Sequence, residues 1–299
     1  YLIPFSFILG VSILLDLIHL FDPILGIQNG SFTSLIIIFV LTVIVSILNK
    51  KSLFNKFEDP LVRSNYIVLF LTVLIIGLLT SLVCDKWAML DFKFHLSQVN
   101  NFLRTNKYPV GIPEFPTLLI PYHYGFDLLC SLISNIFGIS TILTFKITII
   151  SFAIITFLSG FAISFYIVSR LNEKSLLPGD AFTNSFIGAL LFYFSGNFLW
   201  LDAIVRFICK IYPVQNDWSF FKTFCAIGLN GGIANDFSSA GVFFASLSIG
   251  IGLSLLLIFL FMQFVEKDKF CLKYYLAIFI VSLSLFYCAG WILYVFSLS

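Results

Sequence analysis

YIVLFLTVLIIGLLTSLVC, residues 66–84, carries no charge and ends shortly before the polar island Asp91-Phe92-Lys93-Phe94-His95. Nineteen residues wound as a helix reach about 28 Å, close to the roughly 30 Å hydrocarbon core of a bilayer. The run is continuous rather than alternating, so it reads as a helix and not as a strand of a membrane barrel. The island then opens a segment of helical periodicity. An acid and a histidine four residues apart on a helix point the same way. Such groups at a bilayer surface are costly to hold, so they suggest a function.

Composition carries the same reading to the whole chain. Of its 299 residues 60% are hydrophobic and 11% charged, and the mean hydropathy is +1.04. Soluble domains carry about 25% charged residues. Apolar spans are expected at 2–21, 32–49, 66–84, 141–169, 181–200, 240–265 and 274–297. The expected fold is all-α: a polytopic helical membrane protein of about seven transmembrane helices, forming a single transmembrane domain over 1–299. The net charge of +2 and the absence of a basic run point away from nucleic acid as a partner. Six scattered cysteines form no Cys-x-x-Cys pair, which fits buried apolar thiols rather than a zinc or redox site. The chain begins at Tyr1 and ends inside an apolar run, so truncation at both ends is expected.

Charge orders the connections. Lys50, Lys51, Lys56 and Arg63 lie between the second and third spans, Arg170 and Lys174 follow the fourth, and Lys267, Lys269 and Lys273 precede the last. Threading puts these on one side, which the positive-inside rule makes cytoplasmic. The outer side then receives two large loops, 85–140 and 201–239. They hold seven of the fifteen acidic residues and two of the three histidines, His95 and His123.

In the first outer loop, 91–105 reads as an interfacial helix. Phe92, Leu96, Val99 and Leu103 form an apolar stripe facing lipid or other spans; Asp91, His95 and Gln98 form a separate polar stripe. The plain alternative is a surface helix capped by Asp91, with His95 incidental. Prolines 109, 113, 116 and 121 forbid a regular helix and predict a semi-rigid extended strap. The apolar run 117–138 would reverse the topology if it crossed the bilayer, so a second membrane-hugging helix is expected there. His123 reads equally as a packed histidine.

These motifs resemble a family. A transmembrane run, an acid at the start of the first large outer loop and two loop helices form the plan of GT-C glycosyltransferases. More narrowly, Asp91-x-x-x-His95, Tyr108-Pro109 and Tyr122-His123-Tyr124-Gly125 resemble bacterial and archaeal GT-C proteins of uncharacterised specificity, over roughly residues 66–265. The resemblance implies inverting transfer of a sugar from a polyprenyl-phosphate donor on the outer face of a prokaryotic plasma membrane. The acceptor would be a glycan, lipid or protein. The family's loop acid maps to Asp91, with Asp85 as a rival nearer the span.

In the second outer loop, Asp217 and Asp236 each follow an asparagine and precede an aromatic. Asp236 also reads as a cap for the span near 240. Asp217 beside Trp218 has a further reading, since aromatic faces stack on sugar rings and an adjacent acid accepts sugar hydroxyls or binds a metal. Arg206, Lys210 and Lys222 are cations able to grip a lipid phosphate or simply to snorkel to headgroups. The chemistry needs a base for the acceptor hydroxyl and stabilisation of the leaving phosphate. Asp91 is assigned as base, with His95 as its orienting partner or as a phosphate or metal contact, and Arg206 or Lys222 as phosphate ligands. Asp85, Tyr122, His123, Asp217, Trp218 and Asp236 complete the expected substrate-binding set. The metal ligands are open, with a divalent cation such as Mg or Mn a candidate. A transporter or flippase of lipid-linked saccharides is the rival class. It requires ionisable residues inside spans, where Asp16 and His19 qualify near the outer end of the first.

Overall fold

A computed structural model of the chain describes residues 2–48, 63–86, 92–106, 111–112, 115–119, 124–173, 180–194, 245–266 and 274–285. The protein is a helical membrane protein. Five of the described helices are long and apolar enough to cross a bilayer, at Ile3–Leu25, Ile27–Ile44, Ser64–Ser81, Thr141–Leu171 and Ile249–Glu266. In chain order the helices are α1 (Leu2–Leu25), α2 (Ile27–Leu48), α3 (Arg63–Lys86), α4 (Phe92–Thr105), α5 (Gly125–Phe137), α6 (Thr141–Glu173), α7 (Ala181–Phe194), α8 (Ala245–Glu266) and α9 (Tyr274–Leu285). Helices α7 and α9 mark the expected spans at 181–200 and 274–297. They are shorter than a span over the described residues, and the remainder of both ranges lies outside them.

The polar stretch between the first two spans is much shorter than the sequence suggests. Asp22, Pro23, Gln28, Asn29 and Gly30 all belong to helices, and Gly26 alone joins α1 to α2. Gly26 has φ +76°, the left-handed conformation that ends a helix without a Cβ penalty. Its N–H donates to the Asp22 carbonyl at 2.9 Å and its carbonyl accepts from Gly30 N–H at 2.8 Å. One residue thus closes the last turn of α1 and begins α2.

Helix α6 is the centre of the bundle, with α1, α3, α4, α5, α7 and α8 packed around it. Its Phe145, Ile149 and Phe152 join Ile8, Leu15 and Ile18 of α1, Phe126 and Leu128 of α5, and Leu253 of α8 in the main core. Further along, Phe157, Phe161 and Phe165 pack with Phe182 and Tyr193 of α7 and Ile76 of α3. Helix α3 leaves Phe70, Leu71, Leu74, Ile75 and Leu78 exposed, a face suited to lipid.

Contacts at the helix ends sort the connections onto two sides. Tyr124 bonds His19 near the end of α1, and Asn106 bonds the first turn of α2. The α4–α5 pair therefore covers the side where α1 ends and α2 begins. Helix α6 starts beside α5, and its 33 residues run about 50 Å to the far side. There Arg170 pairs with Glu266 of α8 at 2.5 Å, while Tyr166 donates to the same carboxylate. The basic connection between α2 and α3 and those following α6 and α8 leave from helix ends on that far side.

The expected loop helix at 91–105 is present as Phe92–Thr105, but its buried face differs. His95, Gln98, Val99 and Phe102 point inward, so the polar stripe is part of the packed face rather than separate from it. The second loop helix is packed into the bundle. Residues Gly125–Phe137 form α5, and Gly125 through Leu132 and Ser134 are all buried among α1, α4, α6 and α8. The described parts of the proline strap are extended and pair with each other: Gly111–Ile112 (β1) runs antiparallel to Phe115–Leu119 (β2), with Gly111 opposite Leu119 and Ile112 opposite Phe115.

Candidate functional site

A polar contact joins α4 to α5. His95 lies in the first turn of α4 and Asp127 in the first turn of α5. His95 Nδ1 is 2.9 Å from both carboxylate oxygens of Asp127, and each side chain is about 1% exposed. Donation from Nδ1 to a carboxylate fixes the ring's orientation and, in the neutral ring, makes Nε2 the basic nitrogen. The rings of Phe126 and Phe145 flank the imidazole at centroid distances of 6.3 and 6.5 Å. One turn along α5, the Cys130 thiol donates to Thr148 of α6 at 3.5 Å.

Electrostatics follow from burial. Loss of water pushes the Asp127 carboxyl up from 3.8 to about 6, and the neighbouring His95 charge and hydrogen bond oppose this without cancelling it. Burial likewise drives the Cys130 thiol well above its ordinary range, partly offset by the Thr148 hydrogen bond and reinforced by the Asp127 charge. That thiol is therefore inert at neutral pH.

The raised Asp127 value has a measurable consequence. A carboxyl whose folded pKa exceeds its unfolded one binds its proton more tightly when folded. Its contribution to stability is full below about 3.8 and is lost as pH rises through about 6. Asp127→Asn keeps an acceptor for His95 Nδ1–H and removes the titration. The apparent Tm of the parent, minus that of Asp127→Asn, is expected to fall between pH 4 and 7. A difference that grows with pH would show the carboxylate to be favoured by its site.

A second polar group runs along α1. Ser12, Asp16, His19 and Asp22 share one helix stripe at i, i+4, i+7 and i+10. Ser284 of α9 donates to Asp16 Oδ1 at 2.9 Å and bonds the Ser12 hydroxyl. His19 Nε2 bonds the Tyr124 hydroxyl, with the two rings stacked at 5.1 Å and 14°. Tyr124 immediately precedes α5 and also contacts Phe102 of α4. It therefore joins the span stripe to the loop pair that holds His95 and Asp127.

Of the expected site residues, His95 is the one whose side chain is described, and the acid it meets is Asp127. Asp85 falls in the last turn of α3, with its side chain outside the described residues. Asp91, Tyr122, His123, Arg206, Asp217, Trp218, Lys222 and Asp236 also lie outside them. Among the described residues, no group of three or more His, Cys, Asp or Glu side chains is placed to hold a metal. Tyr124 and Asp127 are the functional candidates that sequence reasoning passed over. The available signal was an acid within an apolar run and a tyrosine within the quoted motif. No protein-family model matches the chain, nor does a curated protein or a solved structure.

Proposed function

We propose that this protein is an integral-membrane glycosyltransferase that moves a sugar from a polyprenyl-phosphate donor to an acceptor on the extracytoplasmic face of a prokaryotic plasma membrane. The observation that carries the reading is the buried His95–Asp127 pair. It fixes a loop helix against the bundle and holds an oriented imidazole four residues along the sequence from Asp91, the residue just before α4. The plan Asp91-x-x-x-His95 resembles that of GT-C enzymes. Asp91 takes the acceptor's proton as its hydroxyl oxygen attacks the anomeric carbon. The carbon–oxygen bond to the phosphate breaks, its electron pair leaves with polyprenyl phosphate, and the anomeric centre inverts. Arg206 or Lys222 is the cation assigned to the departing phosphate. The acceptor is a glycan, a lipid or a protein.

A second reading has its own observation. Asp16, His19 and Asp22 form a line of ionisable groups inside a span, the feature expected of transport. Sealed vesicles containing the purified protein and a labelled polyprenyl-phosphate sugar separate the two. A glycosyltransferase moves label from the lipid onto an acceptor supplied on the loop side. A flippase returns the intact donor from the opposite leaflet and leaves the acceptor unlabelled, which would overturn the enzyme reading.

A further inference from the structure

The C-terminal end of α4 meets the α1–α2 turn in a reciprocal cap. Asn106, just beyond α4, has φ +51°, a left-handed conformation that asparagine tolerates better than other residues with a side chain. Its N–H donates to the Phe102 carbonyl at 3.2 Å and closes the last turn of α4. Its own oxygens serve another helix, 78 residues away in sequence. The side-chain Oδ1 accepts from Gln28 N–H at 2.6 Å, and the carbonyl accepts from Ile27 N–H at 3.3 Å. In return, Gln28 Nε2 donates to the Leu103 carbonyl at 3.4 Å. The positive end of α2 thus faces the negative end of α4, and groups that helix ends leave unsatisfied are paired across the junction.

Gly26 makes the contact possible. A Cβ there would lie 2.9 Å from both the Asn106 carbonyl oxygen and its Nδ2. Any side chain at 26 would push α4 off the turn. His95–Asp127 ties α4 to α5 near its start, and Asn106 ties it to the spans at its end.

We propose that Asn106, seated on Gly26, is a positioning residue that latches the His95 helix to the α1–α2 turn and so sets where Asp91 and His95 stand relative to the membrane. Its catalytic consequence rests on the glycosyltransferase reading; the latch itself does not. Asn106→Gly keeps the left-handed backbone and removes the side-chain bond, whereas Asn106→Asp retains an acceptor for Gln28 N–H.

The test is amide hydrogen exchange on the full chain in nanodiscs, followed by donor kinetics. Asn106→Gly is expected to speed exchange at least about tenfold over residues 27–30 and also over 92–105. Asn106→Asp should restore the parental pattern. Acceleration confined to 27–30 would make Asn106 a local cap and overturn the latch. In an active parent, Asn106→Gly should lower kcat about tenfold at unchanged donor KM, with Asp restoring it. A parent without transfer activity would count against the enzyme reading, while the exchange pattern would still decide the latch.

Discussion

His95→Ala is expected to lower stability by about 3–5 kcal/mol, because it leaves the Asp127 carboxyl buried with its hydrogen-bonding partner removed. For a chain of this size that corresponds to a fall of roughly 10 °C in apparent Tm. Asp127→Ala should cost a similar amount, since it strands the imidazole instead. The double variant His95→Ala/Asp127→Ala is expected to lose clearly less than the sum of the two, giving a coupling of about 2 kcal/mol. Thermal unfolding of the four proteins at pH 7 in one detergent checks this. Additive losses would mean that the two side chains do not act as a pair. The cycle also separates structure from function. A buried ion pair is often replaceable by apolar groups of similar volume without loss of stability. If His95→Phe/Asp127→Leu folds and still transfers sugar at the parental rate, the pair is scaffold alone. The enzyme reading expects a folded but inactive protein.

How far the sequence carries depends on whether a residue's role is local. Helix α3 is legible from residues 66–84 because an uncharged run of that length has one stable solution in a bilayer. The extent of α4 is legible from its period. Its buried face is not, because the inward turn of His95 is stabilised by Asp127, 32 residues on, and no periodicity reports such a partner. The α1–α2 connection misleads for the same reason. Asp22, Pro23 and the Gln28–Gly30 segment have loop composition, yet they stay helical where Gly26 turns the chain and Asn106 caps the next helix. Asp127 is visible as an acid of the outer loop, but its apolar neighbours read as a membrane-hugging helix. In the folded protein that same apolarity encloses it. Asp16 and His19 were legible as ionisable groups in a span, whereas their partners Ser284 and Tyr124 lie more than a hundred residues away.

The largest functional effect is expected at Asp91. Asp91→Asn preserves the shape and much of the hydrogen-bonding capacity of the side chain while removing its basicity, and general-base catalysis contributes about 100- to 10,000-fold. Under the glycosyltransferase reading, kcat should fall by that factor. The donor KM should change little, because the base acts on the acceptor hydroxyl and not on the lipid phosphate. The apparent Tm should stay near that of the parent, in contrast to His95→Ala, which breaks the buried contact with Asp127. Asp85→Asn supplies the comparison. The two acids are rivals for one role, so only one should show the large loss. A loss at Asp85 with parental activity at Asp91 would move the base to the end of α3 and leave the His95 helix as support. Parental activity in both would remove the first outer loop from the chemistry. The line of Asp16, His19 and Asp22 in α1 would then become the group to test, as a path for transport.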